Sequence, residues 1–277
     1  MVSTASNKIL ATSYRPIQPG LGRSLSTTSM CYQEIPPHPT LRPYVYCYWT
    51  ISSTNNLDTP FWYRIVPDGC VDLFINCEVW EGAYMVATMR SPFVVPLTHQ
   101  VQYFGVRFMP GQISTFFPVP ICELVDRLVA LQDLFGTQMS QVEEKLFLAG
   151  STAQRVAFIQ SLLLKQVEER EKSIDPRVLA AIAQIYRSKG QTLIEKQLAE
   201  DELISPRHLR RLFQYYLAIS PKLFSRVIRF QNLLRSMLTT PKQDWTTLAL
   251  NYGYYDQAHF IHEFRALYGE VPTGVLS

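Results

Sequence analysis

Between Leu203 and Gln243 the chain has no Asp or Glu, yet carries Lys or Arg at 207, 210, 211, 222, 226, 229, 235 and 242. The chemistry open to such a strip is recognition. Guanidinium groups bind phosphate oxygens, and a guanidinium fork reads guanine O6 and N7 through paired hydrogen bonds. Arg207, Arg210, Arg211 and Gln214 fall on one side of a helical projection, while Leu209, Leu212, Phe213 and Tyr216 fall at i, i+3, i+4, i+7 on another. Ser205 as N-cap and Pro206 at the first helical position predict where that helix starts. An apolar back and a guanidinium front suit the major groove of a duplex. An ordinary helical hairpin with a solvated Arg face would use the same pattern.

The elements around this helix argue against the hairpin. A helix over 195–202 and a turn at Leu203-Ile204 precede it, the layout of a helix-turn-helix. Ser220-Pro221 opens a further helix to about Leu238, with Lys222, Arg226 and Arg229 on one face for phosphate contact, together with Ser205. The layout then recurs. Asp244 caps 245–251, Tyr252-Gly253-Tyr254 makes a turn, and Asp256 caps 257–268. A displacement of 51 positions pairs His208 with His259, Leu209 with Phe260, Phe213 with Phe264 and Pro221 with Pro272. The intervening helix, roughly 27 Å long at about 1.5 Å per residue, is a strut of the size that presents two helices to major grooves about 34 Å apart.

The run Ala249-Leu-Asn-Tyr-Gly253-Tyr-Tyr-Asp-Gln-Ala-His-Phe-Ile-His-Glu-Phe264, followed by Gly269 and Pro272, resembles the signature of the AraC/XylS family of bacterial transcription regulators. Leu198-Ala199, Ser205, Leu209, Phe213 and Ser220-Pro221 match the looser pattern of that family's first unit, and the resemblance covers about 176–276. It implies double-stranded DNA as partner, with Arg207, Arg210 and Arg211 in the first recognition helix and Gln257, Ala258, Ile261 and His262 in the second facing bases. His259 is left between phosphate contact and a packing or capping role. It also implies RNA polymerase as a further partner, a small-molecule effector, and homodimerisation. Ala218 departs from the family's usual Gly, and His262 from its usual Arg. Ile261 can offer only apolar contact, as to a thymine methyl.

Ahead of this region, short β-branched and aromatic runs at Tyr44–Ile51, Phe61–Val66, Val71–Ile75, Tyr84–Met89, Phe93–Leu97 and Val101–Phe108 alternate with turn clusters. They predict a small barrel or sandwich, and the resemblance implies a cupin-like sensor domain. Trp49, Phe61, Trp62, Tyr63 and Tyr103 are candidates for an apolar pocket or for plain core. Amphipathic helices are predicted over 123–134, 140–148 and 152–171, then a junction at 173–176. The expected organisation is therefore a disordered tail over 1–29, with Met30 a candidate natural start, a β-rich domain with helical extension over 30–174, and a double helix-turn-helix domain over 175–277. The fold class is α+β.

Charge follows that division: residues 175–277 hold 13 Lys and Arg against 9 Asp and Glu, and the remainder 13 against 14. Five cysteines without paired metal-ligand spacing favour a reduced, cytoplasmic setting over a disulfide framework. No apolar run is long enough for a membrane span. His38 and His99 supply too few ligands for a cupin metal. Neither a catalytic residue nor a metal nor a cofactor is expected. The rival reading is a ligand-binding or enzymatic cupin-like protein whose basic helices dock an acidic protein partner.

Overall fold

The structure, a computed structural model, describes residues 14–19, 30–119, 121–169, 174–191, 195–239 and 244–275. Eight strands run antiparallel: β1 (Met30–Ile35), β2 (Val45–Ser53), β3 (Leu57–Ile65), β4 (Val71–Asn76), β5 (Ala83–Val86), β6 (Phe93–His99), β7 (Gln102–Phe108) and β8 (Leu128–Ala130). Six of them form a sheet in the order β1-β2-β7-β4-β5-β8, and β3 pairs only with β6. Of the sandwich and the barrel expected, the ladders form the former: a six-stranded sheet faces the separate β3–β6 pair. Period-two alternation sorts the side chains. Along β4, Val71, Leu73 and Ile75 are buried on one face, and Asp72, Phe74 and Asn76 lie half-buried on the other.

The first face packs against helices α1 (Ile113–Phe116), α2 (Leu131–Phe135), α3 (Ser140–Leu148) and α4 (Thr152–Glu169) through a core that includes Tyr48, Phe104, Phe108, Ile121 and Leu163. The opposite face and the β3–β6 hairpin share a smaller cluster with Cys47, Trp49, Ile51, Tyr63 and Leu97. Two expectations fail here. Residues 123–134 do not form one helix, because Asp126 takes a left-handed φ of 55° and Leu128–Ala130 adds to β5 as an edge strand. The tail is not wholly disordered either. Tyr14 is buried and stacks on Tyr186 at 4.6 Å between ring centroids, and Gln18 is buried against the Val66 backbone and the Asp68 carboxylate. The rest of the tail call, like Lys242 of the basic strip and Ser173 of the junction, lies outside the described residues.

The C-terminal part is helical: α5 (Pro176–Arg187), α6 (Glu195–Asp201), α7 (Pro206–Leu217), α8 (Pro221–Thr239), α9 (Trp245–Asn251) and α10 (Gln257–Tyr268). Side chains of α5 to α8 bury one core around Leu209, Phe213 and Phe224; α8 to α10 bury a second around Phe230, Phe260 and Phe264. The long α8 contributes to both.

Candidate nucleic-acid interface and effector cavity

Each pair α6–α7 and α9–α10 is closed by the same backbone device. Leu203 N–H donates to Glu200 O and Ile204 N–H to Ala199 O; in the second unit Gly253 donates to Leu250 O and Tyr254 to Ala249 O. These turns correspond at a displacement of 50, whereas the helices after them correspond at 51, so the second turn is one residue longer. Ser205 Oγ then accepts from His208 N–H, and Asp256 Oδ1 from His259 N–H, both three residues on. Left-handed residues also coincide. Leu203 (φ 55°) stands opposite Gly253 (φ 74°), and Ala218 (φ 63°), which ends α7, opposite Gly269 (φ 93°), which ends α10. Ala218 is where a family Gly was missing. Its methyl joins the hydrophobic core of the N-terminal domain, against which α7 packs at 121–123.

With the backs of α7 and α10 buried, Ser205, Arg207, Arg210, Arg211, Gln257, Ala258 and His262 are exposed. Arg211 Nη2 lies 3.3 Å from His208 Nδ1, and Gln257 Oε1 lies 3.4 Å from Thr246 Oγ1. Ile261 is half-buried and packs on the core around Phe264. His259 Nδ1 accepts from Tyr255 N–H at 3.3 Å and its ring contacts Tyr254 edge-on, so the structure gives this residue a turn-closing position.

The expected row of phosphate contacts on α8 needs correction. Lys222 is exposed, but Arg229 is buried, with its side chain 11% accessible. Its Nη2 donates to Glu263 Oε1 and Oε2 at 2.7 and 2.9 Å, its Nε to Oε1 at 3.2 Å, and its guanidinium lies 4.4 Å above the Tyr254 ring. Arg226 Nε donates to the same carboxylate at 2.7 Å, leaving this guanidinium half-buried. Arg229 cannot reach a phosphate from there. Together with Arg226 it ties the strut to the second recognition helix through Glu263, a residue to which the sequence reading gave no role.

A cavity of about 380 Å³ lies between the six-stranded sheet and the β3–β6 hairpin. Trp49, Tyr63, Phe74, Tyr84 and Tyr103 line it; of the five aromatic candidates, Trp62 points outward and is 64% exposed, and Phe61 packs beside the cavity. Gly105 has a steric duty here, because a Cβ at that position would lie 2.3 Å from the Trp49 indole that crosses it. The indole Nε1 reaches Asp72 Oδ1 at 3.3 Å, and Arg107 Nε and Nη2 donate to the two oxygens of Asp72 at 3.0 and 2.8 Å. Asp68 Oδ2 lies 3.9 Å from Arg107 Nε. Burial works against the Arg107 charge, but Asp72 and Asp68 outweigh it and hold its pKa well above the ordinary value. Burial also pushes the Cys70 thiol well up. Among the described residues no group of three or more His, Cys, Asp or Glu is placed to hold a metal ion, and no helix is long and apolar enough to cross a membrane.

One segment, Tyr63 to Asp72, connects this cavity to both helical units. Tyr63 and Ile65 line the cavity, and between them Arg64 faces away, donating from Nη1 to Tyr268 O at 2.7 Å and pairing with Glu270 just past α10. Val66 joins the core of the second unit. Pro67 O accepts from Gln231 Nε2 of α8 at 2.9 Å, and Asp68 O accepts from the Tyr14 hydroxyl. Gly69 abuts Phe224 so closely that a Cβ would lie 2.8 Å from its ring, and Cys70 enters the core of the first unit. Asp72 then returns to the cavity floor.

Comparison with known proteins agrees with these two parts. Residues 198–277 match a family model described as Helix-turn-helix domain, and residues 33–130 match one described as Domain of unknown function (DUF6597). The XylDLEGF operon transcriptional activator 3 of Pseudomonas putida is 32% identical over 89 residues, 31% of this chain and 27% of that protein. The XylDLEGF operon transcriptional activator 2 of the same organism is 32% identical over 85 residues, 30% of this chain and 54% of that protein. The chain thus spans about a quarter to a half of the length of these relatives. Among solved structures, ToxT from Vibrio cholerae O395 aligns over 90% of this chain and 97% of its own, at 12% identity and a TM-score of 0.41. Paired helix-turn-helix units on one strut define a DNA-binding class of domain. Residues 198–277 are thus similar to the domain that this model describes and to part of the XylDLEGF operon activators.

Proposed function

We propose that this chain is a sequence-specific DNA-binding transcription regulator whose cavity takes a small-molecule effector. One observation carries the first half: two N-capped recognition helices, each with a buried back and a polar front, pack on one strut, the second tied to it by the Arg226–Glu263–Arg229 clasp. Arg207, Arg210 and Arg211 supply base and phosphate contact from the first helix, and Gln257, Ala258 and His262 from the second, with Ile261 able to add an apolar edge. Ser205 and Lys222 lie beside the first helix as phosphate contacts, with Arg226 adding its charge from the clasp. The second half rests on the segment 63–72, whose residues alternate between cavity wall and helical units. An effector that fits the cavity better with the hairpin shifted would bias the position of both units, by differential affinity for two arrangements. RNA polymerase and a second copy of the chain are further partners in this reading, and no chemistry is catalysed.

The test is selection of bound duplexes from random DNA with the full-length protein, followed by affinity for the selected and a scrambled site across a salt series. An enriched site with two half-elements about one helical turn apart, and a steep loss of affinity with salt, are expected. A protein that enriches no sequence, or binds equally to both duplexes, refutes the reading.

A further inference from the structure

The cavity is unusual in the balance of its buried charge. Its walls are aromatic faces, with Trp49, Tyr63, Phe74, Tyr84 and Tyr103 around an interior of about 380 Å³, room for a molecule of one or two rings. Its floor is ionic. Asp72 and Arg107 line it, with Asp68 behind, and the side chains of Asp72, Arg107 and Asp68 are 15%, 4% and 8% accessible. Two carboxylates therefore share one buried guanidinium, and the Nε and Nη2 donors of that guanidinium are already engaged by Asp72. At the rim Asp126 is held by Arg90, and Glu81 and Arg127 are both solvent-exposed and of opposite sign. One negative charge on the floor is left without a counterpart among these groups.

A ligand carboxylate would be a third anion around one guanidinium whose Nε and Nη2 already bond Asp72. A ligand cation would complete the ionic floor, and the surrounding ring faces attract positive charge through their quadrupoles. We propose that the cavity is a receptor for an organic cation, an amine or quaternary ammonium on an apolar body of one or two rings. This rests on the reading of the cavity as an effector site and narrows it. The cationic group sits at Asp72 beside the Trp49 and Phe74 rings, and the apolar body fills the space under the β3–β6 pair.

The test uses a series in which only the charged end changes: phenylpropylamine, protonated at neutral pH, phenylpropanol and phenylpropanoate, each titrated calorimetrically into the full-length protein. The amine is expected to bind about tenfold or more tighter than the alcohol, and the acid to bind weakest. Asp72→Asn is expected to bring amine and alcohol to similar affinity while the alcohol still binds. Should that variant fail to fold by circular dichroism, Phe74→Leu serves instead, with the amine losing more affinity than the alcohol. An acid or alcohol that binds as tightly as the amine overturns the charge assignment and leaves the cavity a receptor. So does a folded Asp72→Asn that keeps the full amine preference, or a Phe74→Leu that weakens amine and alcohol equally. Absence of binding by all three at millimolar concentration overturns both this inference and the effector reading beneath it.

Discussion

Glu263→Gln tests the clasp that sets the second recognition helix. The Glu263 side chain is 4% accessible and accepts from Arg226 Nε and from Arg229 Nε and Nη2 at 2.7 to 3.2 Å. Gln keeps the shape and one acceptor, but turns an NH₂ group toward guanidinium donors and removes the only carboxylate they share. The two arginines differ in how they absorb the loss. Arg226 is 35% accessible and can hydrate, whereas Arg229 is 11% accessible and cannot without opening the α8–α10 contact. Breaking a buried pair costs about 3–5 kcal/mol. With one of the two cations able to reach water, the lower end is expected, about 3 kcal/mol, a loss of more than a hundredfold in the equilibrium constant for the closed second unit. Urea unfolding read by amide exchange within Phe260–Leu267 measures this locally. The double variant Arg229→Met/Glu263→Leu removes both charges and is expected within about 1 kcal/mol of wild type. A Glu263→Gln cost below about 1 kcal/mol, or a double variant as unstable as the single one, refutes the clasp.

Four further outcomes follow from the same geometry. Arg211→Ala is expected to cost about 1–3 kcal/mol at a selected DNA site and to relax preference at one base position, measured by competition binding; unchanged affinity removes Arg211 from the interface. Gly190→Ala would place a Cβ 2.1 Å from Ser225 O and 2.6 Å from Arg229 N at a φ of 70°, so it is expected to unfold the C-terminal domain at physiological temperature, and a melting curve like wild type would contradict the packing. Leu203→Gly relieves a left-handed residue that is 92% exposed and should raise stability by about 1 kcal/mol, whereas Ala218→Gly also forfeits a buried methyl worth about 0.8 kcal/mol and should change it little; equal effects would refute this account of the two positions. The Asp175 carboxyl is held below its ordinary 3.8 by the Arg177 side chain, and Asp244 by the Thr247 N–H. Both are groups with depressed pKa, so their contribution is complete above about pH 4 and is lost as pH falls through the lower folded values; Asp175→Asn should flatten the acid limb of the unfolding curve there.

The sequence made the C-terminal architecture legible because its signals are local. Caps such as Ser205 and Asp256, Pro at a first turn, and apolar positions at helical spacing all act within a few residues, and the structure uses each of them. Arg229 was misread for the converse reason. On the α8 projection it shares a face with Lys222 and Arg226, and nothing nearby in sequence reveals that Glu263 waits 34 positions later to bury it. The same holds for Asp72 with Arg107 and for Arg64 with Tyr268, pairs that only the fold brings together. In the stretch 123–134 the leucine spacing fits a helix, but a β edge at Val86 offered Leu128 a ladder partner, and tertiary pairing won over periodicity. Tyr14, Ile17 and Gln18 sit in a composition that reads as a tail and yet find a groove between Asp68 and Gln231.

The two helical units share a backbone plan and both take apolar contact from the β-rich domain, but the second adds a polar tie through Arg64. The first unit meets the sheet side through buried apolar contact, with the Ala218 methyl in the N-terminal core and Phe224 against Gly69. Such contact is close-packed and gives way all at once. The second unit meets the hairpin itself through Arg64, on the Tyr268 carbonyl and Glu270. Tyr63, Arg64 and Ile65 are consecutive in one strand, so neighbouring side chains point to opposite faces of it. Tyr63 and Ile65 cannot move outward to widen the cavity without carrying Arg64 along the same direction, toward α10. Under the proposed reading, a displacement of the cavity wall would reach the end of α10 through Arg64 and the first unit through the turn at Pro67–Gly69. Glu270 is half exposed, so added salt weakens this second tie and leaves the first intact.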